Sequence, residues 1–86
     1  MPGMSLRRTA NKLQTALCQK GRYIRINQYQ SYSERAERMV TKFVLTERRM
    51  TDEGEMKNFT ILETYQMAEV VKTLAELYGG ADEANT

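Results

Sequence analysis

Gly21-Arg22-Tyr23-Ile24-Arg25-Ile26-Asn27-Gln28-Tyr29 is the stretch that decides how this chain folds. Ile24 and Ile26 fall on one side of an extended backbone, while Tyr23, Arg25, Asn27 and Tyr29 fall on the other. A period of two with one apolar side belongs to a half-buried strand, here predicted over residues 22–33. Beyond the polar residues 31–37 comes Met39-Val40-Thr41-Lys42-Phe43-Val44-Leu45-Thr46, whose β-branched and aromatic content predicts a second strand. Met39, Phe43 and Leu45 share one side of it. Val40, Lys42, Val44 and Thr46 share the other, which is apolar around a single lysine. Asp52-Glu53-Gly54 supplies turn chemistry, and residues 55–61 predict a short third strand with Phe59 and Ile61 on one side. The three strands read as an antiparallel meander.

Helical periodicity flanks this centre. Leu6, Ala10, Leu13 and Leu17 recur at offsets of four, seven and eleven, one stripe of a helix over residues 5–20, with Arg8, Lys12, Thr15 and Gln19 opposite. Ser5 is a candidate N-cap, and Gly21 follows the last periodic residue, where a left-handed cap costs glycine little. At the other end Met67, Val70, Val71, Leu74, Leu77 and Tyr78 form one face and Tyr65, Glu69, Lys72 and Glu76 the other. Thr60 with Glu63 has capping-box spacing, Thr64 is an equally good N-cap, and Gly79-Gly80 is expected to end the helix. Residues 1–4 and 81–86 are expected to be loose. Two amphipathic helices and a sheet with one apolar side are best satisfied by an α+β two-layer sandwich, both helices on one face of a three-stranded antiparallel sheet, in the order α-β-β-β-α. The other face, showing Tyr23, Arg25, Asn27, Tyr29, Val40, Lys42, Val44 and Lys57, is expected to meet solvent or a partner.

Eighty-six residues make one domain, 1–86, with an ordered core of about 5–79 and room for a single thin core. The apolar (41%) and charged (28%) fractions are those of a soluble globular protein. The lone Cys18 and the lack of an apolar export segment point to a cytoplasmic location, and no run of about 18 apolar residues is present to span a membrane. With no histidine and one cysteine, a zinc site of the usual Cys/His type and every histidine triad are excluded. No cofactor, metal site or small-molecule substrate is expected, and no catalytic signature is evident.

The charge is unevenly placed. Residues 1–49 hold eleven of the thirteen lysines and arginines beside three acids, and residues 50–86 hold two bases and eight acids, which is +8 against −6. Such asymmetry can indicate a polyanionic partner. Arg7 and Arg8 stand in the first turn of a helix, where the macrodipole disfavours cations by about 0.3–1 kcal/mol each, and an anion held by helix amides and arginines would offset this. Screening by salt explains the same residues without a ligand. Arg35 and Arg38 lie among the alternating charges of Ser33-Glu34-Arg35-Ala36-Glu37-Arg38, a phosphate clamp or a solvated loop. Tyr23, Arg25 and Tyr29 combine rings with a cation, the ingredients of a base-stacking platform, or of a dimer interface.

From Leu6 to Tyr78 the order of elements and the apolar positions Leu13, Leu17, Phe43, Val70, Leu74 and Leu77 resemble the double-stranded-RNA-binding domain. The resemblance implies duplex contacts from Arg8 and Lys12 on the first helix and from Ser33, Arg35 and Arg38 in the loop between the first two strands. Where that family opens its last helix with lysines, this chain has Thr60-Ile61-Leu62-Glu63-Thr64-Tyr65-Gln66-Met67, with no base. The stretches 21–29 and 39–47 also resemble small uncharacterised proteins of prophages and mobile elements of Gram-positive gut bacteria, which implies an accessory gene product without a defined activity.

Three functional expectations follow. The first is a non-enzymatic protein engaging nucleic-acid phosphates through Arg7, Arg8, Lys12, Arg25, Arg35 and Arg38. The second is a protein-interaction module, a homodimer or a binder of an acidic partner, using Tyr23, Tyr29, Val40, Lys42 and Val44. The third is a metal-dependent nuclease, because Glu55-Met56-Lys57 with Asp52 before it and Gln66 after it is similar to the acidic and lysine residues of restriction-type enzymes, whose carboxylates converge on Mg²⁺.

Overall fold

In the computed structural model, which describes residues 5–84, Ser5 caps the first helix α1 (Leu6–Gln19) by accepting a hydrogen bond from the Arg8 amide at 3.2 Å. Its other end closes in a Schellman motif, the Arg22 amide donating to the Leu17 carbonyl at 2.9 Å and the Gly21 amide to that of Cys18 at 3.0 Å. Gly21 has φ +89°, so the turn that leads the chain into the sheet needs a residue without Cβ. The strands follow as β1 (Tyr23–Ser33), β2 (Arg38–Met50) and β3 (Met56–Thr64), an antiparallel sheet in the order β1-β2-β3, and α2 (Met67–Ala84) completes the chain. The α-β-β-β-α order and the α+β class are those read from the sequence.

The core is small. Ala10, Leu17, Ile24, Leu45, Val70 and Leu74 are buried, and Leu13, Ile26, Phe43, Ile61, Leu62, Met67, Val71, Leu77 and Tyr78 pack around them. In register, Ile24 faces Glu47, Ile26 faces Leu45 and Gln28 faces Phe43, so these six positions share one side of the sheet, and both helices lie on it. With 100° between successive residues, the flank of α1 that meets β1 carries Arg7, Gln14 and Cys18. Gln14 Nε2 donates to the Ile24 carbonyl at 2.9 Å, and Arg7 Nη1 donates to Gln28 Oε1 at 2.7 Å. The opposite flank meets α2, where Lys20 Nζ lies 4.9 Å from the centre of the Tyr78 ring.

Several boundaries differ from the sequence expectation. The second strand runs to Met50, not to Thr46, because Glu47 is not a polar terminus but a buried strand residue. The third strand extends to Thr64, which excludes a capping box at Thr60 and Glu63; the Thr64 hydroxyl accepts from the Gln66 amide at 3.1 Å in the turn before α2. A β-bulge opposite Leu45/Thr46 shifts the pairing from Leu45↔Leu62 to Thr46↔Thr60. It lets Ile61 and Leu62 both pack against the core, where a regular strand would turn one of them away. Lys57 pairs with Arg49 and therefore shares the helix side with Phe59, not the open face assigned to it above. The last helix continues through Gly79-Gly80 to Ala84, since nothing there forces the positive φ that would make glycine a stop. The loose end expected from residue 81 is thus helical backbone as far as 84, and the expectation for residues 1–4 and 85–86 lies outside the described residues.

Candidate functional site

The open face is built from the odd-numbered residues of β1 and the even-numbered residues of β2. Tyr23 lies opposite Arg48, Arg25 opposite Thr46, Asn27 opposite Val44, Tyr29 opposite Lys42, and Ser33 opposite Arg38. At the end nearest the helix-to-strand turn, Tyr23, Arg25, Asn27, Tyr29, Thr46, Arg48 and Asn58 surround a depression of about 540 Å³, reached at its margin by Gln14 and Cys18. Asn27 is fixed there, its Nδ2 donating to the Val44 carbonyl at 3.3 Å and to the Thr46 hydroxyl at 3.1 Å. Tyr23 and Tyr29 are 61% and 57% exposed, so their rings flank the depression in water. Arg25 and Arg48 are diagonal neighbours on this face, both exposed, and neither has a carboxylate partner among the described residues. Among the described residues that line it, the depression has two guanidinium groups and no acid.

The remaining cations divide by location. Arg8 and Lys12 point away from the sheet on the outer side of α1, with Asn11, Thr15, Ala16 and Gln19 around a shallow concavity. Arg35 and Arg38 are at the β1–β2 turn; Arg38 pairs with Ser33 ten residues along β1 from Tyr23, hence about 33 Å from Arg48 along the sheet. Arg7 is held by Gln28. The basic residues named from the sequence therefore form three separate groups, on the helix layer, at the hairpin turn and on the open face. Arg48 was missed. Its signal is parity: it shares the even-numbered face with Lys42 and Thr46 once the second strand is extended to Met50.

Other charges are engaged within the fold. Glu47, 5% exposed, accepts from Arg22 Nε at 2.9 Å, Arg22 Nη2 at 2.7 Å and Arg49 Nε at 2.9 Å. The Arg22 hydrogen bond chiefly holds the Glu47 carboxyl below its ordinary value; burial opposes this, and Arg49 adds to it. The same hydrogen bond raises Arg22. Arg49 also stacks over Phe59 at 5.2 Å. On the open face Lys42 bonds Glu63 at 3.1 Å, which raises the ammonium. On the other side of the sheet Lys57 lies 3.9 Å from Glu55. Val40 and Val44 are half-buried, opposite Ser31 and Asn27 and separated along the strand face by Lys42.

Of the acids considered for metal-dependent chemistry, Asp52 lies in the β2–β3 turn and Glu55 just before β3; the acid on the preceding strand, Glu47, is engaged by two arginines on the helix side. Among the described residues no group of three or more His, Cys, Asp or Glu is placed to hold a metal ion, and no helix is long and apolar enough to cross a membrane. Comparison with protein-family models, with curated proteins and with solved structures gives no match for this chain. The likeness to the double-stranded-RNA-binding domain rests on the element order and on the apolar positions named above.

Proposed function

We propose that this protein binds single-stranded nucleic acid on the open face of its sheet. Arg25 and Arg48 dock phosphates, while Tyr23 and Tyr29 offer their rings to bases. Asn27, Asn58 and Thr46 supply hydrogen-bonding groups between them. The observation that carries this reading is the pair of exposed arginines without a carboxylate, framed by two exposed tyrosines around one depression. A positively charged surface with stacking rings is the general solution for holding a single strand without sequence preference, since every base has a π-face. The duplex-binding mode expected from the sequence is less well supported, because Arg8 and Lys12 occupy the opposite layer from Arg25, and Arg35 and Arg38 stand at the far end of the sheet.

The test is an anisotropy titration with labelled single-stranded DNA and RNA and with duplexes at two salt concentrations. Two phosphates neutralised on a single strand give a slope of about −1.4 in log K against log salt. Arg25→Ala with Arg48→Ala abolishes binding, Tyr23→Ala or Tyr29→Ala weakens it by about 1–3 kcal/mol, and Arg8→Ala with Lys12→Ala leaves it intact. A flat salt response, or equal losses from the two double variants, rejects the reading. A dimer in sedimentation that dissociates on Val44→Glu would instead assign the open face to self-association.

A further inference from the structure

The third strand stops short. β3 pairs with Phe43–Met50 of β2 and ends opposite Phe43, so, among the described residues, 38–42 of β2 are paired only with β1. Beside this free edge lies a cleft of about 700 Å³ that reaches across the ribbon, bounded by Tyr32 of β1, by Arg38, Met39, Thr41 and Phe43 of β2, and by Tyr65; Tyr32, Met39 and Tyr65 are largely exposed. Five residues of strand edge are about 17 Å long, room for a peptide of similar length in line with β3.

The backbone groups available there follow from the ladder. Ile24 uses its amide for the Arg22 carbonyl and its carbonyl for Gln14, both away from β2. By the alternation of an antiparallel pair, even-numbered residues of β1 face outward and odd-numbered residues of β2 face the β3 side. Met39 and Thr41 thus turn two N–H and two C=O groups toward the cleft. The side chains set its chemistry: Met39, Phe43 and Tyr32 are apolar on the helix side, and on the open side Arg38 has no carboxylate partner among the described residues, while Lys42 shares Glu63. A second copy docking through the same edge about Val40 would set Arg38 against Lys42 of the other chain, like charges across a strand pair, which is unfavourable.

We propose that the free half of β2 accepts an extended peptide of another protein, apolar at alternate residues and acidic between them, as an added strand. Main-chain hydrogen bonds to Met39 and Thr41 hold it, its apolar side chains rest on Met39 and Phe43, and its carboxylates face Arg38. This site is distinct from the arginine depression, so the two readings stand or fall separately.

The probe is a blocked seven-residue peptide alternating valine with aspartate and glutamate, titrated against the isotope-labelled full chain. Amide shifts confined to residues 38–43 and 65, and loss of binding when lysine replaces the acids, are expected. Thr41→Pro removes a cleft-facing N–H without touching the bonds to β1, and weakens binding about fivefold or more while the oligonucleotide affinity stays unchanged. Methylating the peptide's amides does the same with no change to the protein. Absence of binding, shifts at Arg25 and Arg48 in place of the cleft, indifference to amide methylation, or concentration-dependent shifts at 38–42 without peptide would each overturn the proposal, the last by assigning the edge to a second copy.

Discussion

Replacing Glu47 by alanine removes a carboxylate that receives three hydrogen bonds from two arginines while almost fully buried. Truncating one partner of a buried ion pair costs about 3–5 kcal/mol, because the other charge is left without compensation. The side chains of Arg22 and Arg49 are 30% and 50% exposed, so water recovers part of that loss, and the expected cost falls to about 2–3 kcal/mol. In a domain of this size that lowers the thermal midpoint by about 10–20 °C. Glu47→Gln keeps the shape and one acceptor, and falls between the two. The pH dependence has a definite sign. The folded carboxyl titrates below its ordinary value of 4.5, so its stabilisation is present above that value and is lost as pH falls through the depressed folded one. Thermal and urea unfolding followed by circular dichroism, at neutral pH and at about pH 3, measure both effects. Glu47→Gln should flatten the acid limb, and Glu63→Ala, at the exposed Lys42 pair, should cost far less than Glu47→Ala. A Glu47→Ala protein within about 0.5 kcal/mol of the parent would refute the argument that this cluster joins the α1–β1 turn to the sheet.

Gly21→Ala should destabilise by about 1 kcal/mol, through the positive φ, because no described residue lies within 4 Å of the added methyl; urea unfolding reads it directly. Gly79→Ala and Gly80→Ala, in a helical segment with open space around them, should each stabilise by about 0.5–1 kcal/mol, seen as a higher urea midpoint at constant slope. Leu45→Ala, at the fully buried centre of the sheet, should cost about 2–5 kcal/mol, and a smaller loss would mean that the helices collapse onto the space.

Local rules made most of the fold legible. Ser5, the leucine stripe and Gly21 announce α1 at both ends, and the parity of Ile24 and Ile26 against Tyr23 and Tyr29 assigns the two sides of β1. What escaped depends on partners distant in sequence. Glu47-Arg48-Arg49 reads as a polar end until Arg22, 25 residues earlier, neutralises the glutamate inside the strand. The bulge opposite Leu45/Thr46 is set by packing, so the sides of 57–61 could not be read from alternation. Gly79-Gly80 has the composition of a stop but lies within a helix that continues beyond it. At the candidate site, Tyr23, Arg25 and Tyr29 were visible on one strand, whereas Arg48 entered only with the register. That Arg8 and Lys12, Arg35 and Arg38, and Arg25 stand in three separate places was not legible, because charge counted along a chain carries no information about which layer a helix occupies.

The early end of β3 also governs how this domain can vary. Outward from Phe43 the β1–β2 hairpin is a two-stranded ribbon that none of the fully buried residues reaches. Adding or deleting residues symmetrically, one on each arm beside the Glu34–Glu37 turn, would change the ribbon's reach by about 3.4 Å a step and leave Leu45, Ile24 and the helices in place. An unmatched residue on one arm would invert every side chain beyond it, so lineages that resize this arm are expected to do so in matched increments.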